Sequence, residues 1–161
     1  MSYSVLDLFC GAGGLSLGFK MADFDIVGGI DFDQEALDTH KLNFNDGFNY
    51  CGDITDLDDE FVLENFDGKV DVIIGGPPCQ GFSVANMQQK DIECDDRNKL
   101  FYEFIRFVKL LKPKAFVMEN VPQILTKDKG HVKEVMMDVM DELGYNVNVK
   151  VLLASDYGVP Q

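Results

Sequence analysis

From Ser4 onward, short apolar runs alternate with segments whose apolar residues recur every three or four positions. That alternation leaves little freedom. Apolar runs buried on both faces read as strands of a parallel sheet, and the amphipathic segments between them read as its covering helices. The strand candidates are SVLDLF (Ser4–Phe9), DIVGGID (Asp25–Asp31), FNYCGDI (Phe48–Ile54), VDVIIGG (Val70–Gly76), the Ala115–Glu119 part of KPKAFVMEN, and YNVNVKVLL (Tyr145–Leu153). A helix is expected from about Gly14 to Ala22, with Leu15, Phe19 and Ala22 on one face. A second, capped by Asp33, carries Ala36, Leu37, His40 and Phe44. The stripe Leu100, Phe101, Phe104, Ile105, Val108 and Leu111 predicts a third, and Val132, Val135, Met136, Val139, Met140 and Leu143 a fourth, closed by Gly144. The expectation is a doubly wound, mostly parallel α/β sheet forming a single domain over residues 1–161. The sequence stops at SDYGVPQ, in a turn rather than a polar tail, which suggests an incomplete unit.

Charge narrows the functional classes. Fourteen Lys and Arg stand against 28 Asp and Glu, for a net charge of −14. A free-standing nucleic-acid binder usually carries a basic stripe, because phosphate neutralisation supplies most non-specific affinity. None exists here, so a chain acting on nucleic acid would need its gripping surface elsewhere. The cysteines at positions 10, 51, 79 and 94 are widely spaced and form no CxxC pair. That spacing argues against structural zinc and a disulfide framework, and fits a reducing, cytosolic setting. No apolar run approaches the length of a membrane span, and no signal peptide precedes the first strand.

In such a sheet ligands gather beyond the carboxyl ends of the strands. The first strand runs into DLFCGAGG, where Gly11, Gly13 and Gly14 allow a tight turn and close backbone approach. Ser16 stands where a dinucleotide fingerprint needs its third glycine, so the turn marks tight packing as readily as a ligand. Asp31, ending the second strand, is placed to accept from ribose hydroxyls; taken alone it reads rather as a capping or surface acid. Asp53 is a candidate acceptor for an adenine amino group, or a solvated turn residue. Together these favour an adenosine-containing cofactor.

The fourth strand ends in GGPPCQGFS, Gly75 to Ser83. Two glycines leave room, two prolines stiffen the backbone, and Cys79 follows. Free cysteines are commonly buried as small hydrophobes. A position past a strand end, beside Gln80 and Ser83, instead favours a nucleophile facing the crevice. His40 and His131 lie on or beside helices, so neither is an evident activating base. Glu119 closes the neighbouring fifth strand, where a carboxyl group serves a thiol as acid–base partner; without Cys79 nearby it would read as a helix-start acid.

DLFCGAGGLSLGF, GGPPCQGFS, DDRNKLF, KPKAFVMENV and LLASDYGVPQ together resemble the motifs of DNA (cytosine-5) methyltransferases. The resemblance covers essentially the whole chain and implies the Rossmann-like fold of S-adenosylmethionine-dependent methyltransferases. It implies that Phe9 and the backbone of Gly11, Ala12, Gly13, Gly14 and Leu15 hold S-adenosylmethionine. Asp31 would bind the ribose, Phe32 pack on the adenine, Asp53 and Ile54 read its edge, and Pro78 and Leu100 line the pocket. Cys79 would attack carbon 6 of a cytosine flipped from double-stranded DNA, Glu119 would serve ring nitrogen 3, and Asn120 would help hold the turn. Val84 to Arg97 would correspond to the loop that closes over DNA. A prokaryotic, cytoplasmic restriction-modification setting follows from the same resemblance.

Family members continue past GVPQ into an arginine-bearing strand, a target-recognition region and a C-terminal helix completing the cofactor pocket. The chain alone is therefore expected to have little activity and to bind cofactor weakly. Alternatives are a non-catalytic or half-enzyme subunit completed in trans by a C-terminal partner, and a tRNA cytosine-5 methyltransferase. An adenine amino-methyltransferase would need Asp, Asn or Ser where Gly76 precedes the prolines. A zinc deaminase would need P-C-x-x-C, and position 82 is Phe.

Overall fold

The computed structural model describes residues 2–44, 46–78 and 99–159. Cys79, Cys94 and the loop Val84 to Arg97 lie outside the described residues. The chain divides into two compact units, Met1–Asn120 and Val121–Gln161.

The first unit holds five parallel strands: β1 (Ser4–Leu8), β2 (Asp25–Asp31), β3 (Phe48–Cys51), β4 (Val72–Gly75) and β5 (Ala115–Met118). They lie in the order β3-β2-β1-β4-β5, so the chain reverses its direction of travel across the sheet between β1 and β4. Helices cover both faces, as the doubly wound expectation requires. Val5, Val72 and Ile74 point to one face and pack against Leu15 and Phe19 of α1 (Gly14–Met21). The helix α2 (Gln34–Asn43) lies on the same face, its His40 ring against Gly29 of β2. Leu6, Ile73 and Phe116 alternate to the other face. There Phe66 of α3 (Asp59–Phe66) approaches Gly28, and Phe104 of α4 (Lys99–Leu111) meets Phe116 edge to face at 6.0 Å. Phe101, Phe104 and Phe107 are completely buried. At roughly 1.5–3 kcal/mol for each such side chain, α4 is a principal source of the unit's stability.

Most boundaries fall where patterning placed them, and β2 and the Asp33 cap agree residue for residue. Asp33 accepts from the amides of Glu35 and Ala36, satisfying donors that a helix start leaves free. The third strand stops at Cys51, and Ile54 belongs instead to a short helical turn, Ile54–Asp56. The helix α3 has no counterpart in the periodicity analysis. It is short, capped by Asp58, and buries only Val62 and Phe66.

The second unit contains α5 (His131–Glu142), with Val132, Met136 and Met140 buried, and two short helical turns before it. Gly144 follows the helix with φ 82, the left-handed conformation that glycine tolerates at a helix end. The expected strand over Tyr145–Leu153 does not form. Period-two alternation specifies a face, whereas a strand also needs a neighbour to complete its hydrogen-bond ladder. No ladder pairs with this segment among the described residues, and Val151, Leu152 and Leu153 are exposed.

Candidate active site

The turn after β1 is held by backbone bonds and one carboxylate. Cys10 N–H donates to Ile30 O (3.1 Å) and Gly13 N–H to Cys10 O (2.9 Å). Asp31 accepts from Gly11 N–H at 2.7 Å through one oxygen and from Asp33 N–H at 2.8 Å through the other. The end of β2 thereby fixes the turn leaving β1. Phe9 has φ 62, a conformation that strains a residue with a side chain by about 1–3 kcal/mol and that clusters at functional sites.

The three glycines of this turn differ in purpose. A methyl group on Gly11 or Gly14 would meet nothing within 4 Å. On Gly13 it would lie 2.5 Å from the Phe44 ring and 2.9 Å from His40. Gly13 therefore makes room for α2, while Gly11 and Gly14 border open space that a ligand can fill. Ala12 is exposed as well. The Leu15 side chain packs into the core beneath, so what it offers a ligand is its backbone at the helix start.

At the end of β2 the Phe32 ring is 79% exposed, although an aromatic side chain gains most from burial. A planar ligand stacked on it would supply that burial. Asp53 is exposed and accepts from Thr55 N–H at 2.9 Å; this bond holds its carboxyl below the ordinary carboxylate range, as an acceptor. Ile54 is buried, Leu100 is half-buried at the start of α4, and Pro78 is exposed. Exposed ring, open glycine backbone and carboxyl acceptors at adjacent strand ends fit an adenosine-containing cofactor.

The fifth strand delivers Glu119 to the fourth. Glu119 N–H donates to Gly75 O at 2.9 Å, extending the parallel ladder. A methyl on Gly76 would lie 3.0 Å from Glu119 Oε2, so the glycine lets the carboxylate rest against the backbone. Asn120 Nδ2 donates to Pro77 O at 2.9 Å and ties the proline turn to the end of β5. Cys79, two residues beyond Pro77, lies outside the described residues. Of the cysteines that are described, Cys10 is buried, and its thiol is pushed far up by burial and by Asp7 and Asp31. It is no nucleophile. Cys51 is half-buried beside the Phe32 carbonyl.

A polar chain under the glycine turn was not anticipated. Asp7 and His40 are buried, and Ser16 Oγ sits between them, 2.6 Å from Asp7 Oδ2 and 3.3 Å from His40 Nε2. Asn49 Nδ2 donates to Gly47 O, leaving Asn49 Oδ1 to accept from His40 Nδ1–H at 2.8 Å. Ser16 Oγ–H donates to Asp7 Oδ2, and His40 Nε2 lies beside the same hydroxyl. Burial raises Asp7 to about 7, against the opposing pull of its hydrogen bonds with Ser16, and burial lowers His40. With both ring nitrogens engaged in the interior, His40 is no base for the crevice. Spacing gave no hint of this chain, because its members come from four separate elements.

A raised folded pKa means that Asp7 contributes stability at low pH that is lost as pH climbs from its unfolded value of 3.8 to about 7. Asp7→Asn keeps an oxygen that accepts from Ser16 and removes that titration. The melting temperature of the variant relative to the unmodified protein should therefore rise between pH 5 and pH 8. A flat or falling difference in calorimetric scans would contradict a buried neutral acid.

Residues 3–161 match the family described as C-5 cytosine-specific DNA methylase. The type II methyltransferase M1.HphI of Haemophilus parahaemolyticus is 46% identical over 162 residues, covering 100% of this chain and 44% of the relative. M.DdeI of Desulfomicrobium norvegicum is also 46% identical, covering 98% of this chain and 38% of the relative. Among solved structures, Spodoptera frugiperda DNMT2 superposes with a TM-score of 0.65 at 27% identity, covering 88% of this chain and 41% of that one. The chain thus spans less than half the length of these relatives.

Proposed function

The chain belongs to the C-5 cytosine-specific DNA methylase family, and on that premise we propose that it forms the cofactor-binding and nucleophile-bearing portion of an enzyme methylating carbon 5 of cytosine in DNA. The observation that carries this reading is the Glu119 carboxylate resting on Gly76, with Asn120 bonded to Pro77, at the root of the turn leading to Cys79.

The cofactor, S-adenosylmethionine, supplies a methyl group already activated on a sulfonium. Phe32 stacks on its adenine, Asp31 accepts from its ribose, and Asp53 with Ile54 reads the adenine edge. Phe9, the amides from Gly11 to Leu15, Pro78 and Leu100 complete the pocket. Cytosine carbon 5 is a weak nucleophile within the aromatic ring. The Cys79 thiolate adds to carbon 6, forming a C–S bond while Glu119 gives its proton to nitrogen 3. The ring then carries an enamine whose nucleophilic carbon is carbon 5. After methylation the carbon 5 proton leaves to solvent, the C–S bond breaks to restore the double bond, and Glu119 recovers its proton.

Holding a duplex with the base flipped out requires cationic surface. With a net charge of −14, the chain relies for this on a recognition region or partner subunit beyond these residues. A duplex carrying 5-fluorocytosine cannot lose a proton from carbon 5. The chain assembled with such a recognition region should form a covalent adduct with it, visible by mass, that maps to Cys79 and vanishes in Cys79→Ser. An adduct persisting in that variant removes Cys79 as the nucleophile. Trapping by fluorinated tRNA in place of DNA would redirect the reading to RNA.

A further inference from the structure

The turn proposed to read adenine, Asp53 through Leu57, is tied together by bonds within itself. Asp56 N–H donates to Asp53 O (3.0 Å), Leu57 N–H to Ile54 O (3.3 Å) and Thr55 N–H to the Asp53 side chain. Bonds internal to a turn fix its shape and say nothing of its placement on the body of the protein. Burial of Ile54 and Leu57 supplies depth, but apolar burial is non-directional.

Among the described residues, directional contacts come from one side chain of α4. Arg106 Nη2 donates to Leu57 O at 2.7 Å and reaches Ile54 O at 3.5 Å. Its Nη1 donates to Asp59 at 2.6 Å, in the first turn of α3, and its Nε donates to Glu103 at 2.8 Å. The side chain is mostly buried, with 23% exposure, so these bonds are shielded from water. One planar cation thus joins α4, the start of α3 and two carbonyls of the turn between β3 and α3. A lysine ammonium cannot reproduce the contacts, since they diverge from three nitrogens held in a plane.

We propose that Arg106 is a positioning residue for cofactor recognition: it sets where the Asp53–Leu57 turn stands, and through it where the Asp53 carboxylate meets adenine. This rests on reading Asp53 as the adenine acceptor. Arg106 touches no part of the cofactor; its effect passes through the backbone of the turn.

The test uses the 161-residue chain assembled with a recognition region, with S-adenosylhomocysteine as the probe in calorimetry and amide hydrogen exchange measured without it. Asp53→Ala should weaken binding roughly tenfold, the scale of one hydrogen bond to a charged group. Arg106→Lys should weaken it about three- to tenfold and speed exchange at Asp56 and Leu57. The double variant should be no weaker than Asp53→Ala by more than about twofold, because both changes remove the same contact. Multiplying losses in the double variant would overturn the proposal, as would unchanged exchange in Arg106→Lys. An Asp53→Ala chain that binds as well as the unmodified one would fail the adenine reading itself. Faster exchange in Arg106→Lys would then leave Arg106 with a purely structural role. If Arg106→Lys does not fold, Asp59→Ala removes one anchor of the guanidinium and should show the same pattern in smaller measure; unchanged exchange and affinity in that variant would overturn the proposal.

Discussion

Gly75→Ala should leave little folded protein. The added methyl would sit 2.1 Å from the Leu8 carbonyl oxygen, a backbone atom on the strand paired with Gly75. A flexible side chain could swing aside; this oxygen cannot move without opening the β1–β4 ladder at the centre of the sheet. Relieving the overlap should cost several kcal/mol, against a total stability of about 5–15 kcal/mol for a domain. Gly14→Ala is the control. Its methyl enters open space at a helix start, and the change should alter stability by less than about 1 kcal/mol. Urea unfolding of both variants reads the contrast, and an unshifted midpoint for Gly75→Ala would show that the strands separate more readily than this geometry allows.

Glu119→Gln should abolish most methyl transfer while leaving the fold intact. Glutamine matches the shape of glutamate and can rest on Gly76 as the carboxylate does. Its amide can donate a hydrogen bond to nitrogen 3 and cannot release a proton. If Glu119 protonates the ring as Cys79 adds, the single-turnover rate in the completed assembly should fall by about 10²–10⁴. A loss near tenfold would mean that a hydrogen bond suffices, and an unchanged rate would remove Glu119 from the chemistry. Melting curves should superimpose, separating this loss from misfolding.

The parts of the fold that could be read from sequence have signals contained within one element. The end of β2, the Asp33 cap and the stripe along α4 each depend on neighbours in sequence, and each lies where local patterning put it. Helix α3 escaped because it is short and buries two residues, too few to establish a period. The segment Tyr145–Leu153 was misread for the opposite reason: its alternation is clear, but strand formation depends on a partner. At the candidate site, the position of Asp31 and Glu119 at strand ends was legible because strand ends converge in any sheet of this order, whereas Phe32 was singled out by the family resemblance alone. The role of Gly13 was not. Its absent side chain serves Phe44 and His40, some thirty residues on, and only the folded chain brings them together.

The strand order also has a consequence in time. β1 is made first, yet its two neighbours are β2 and β4, and β4 ends at Gly75. A ribosome adding roughly 5–20 residues per second leaves one edge of β1 unpaired for several seconds after β2 has emerged. During that interval Leu6 and Leu8, wholly buried in the finished sheet, lack the strand that completes their surroundings. The middle strand of the sheet is thus made before both of its neighbours and closed late. The nascent chain is therefore most prone to mispairing before residue 75 appears, and a slower passage through residues 31–75 would lengthen that exposure.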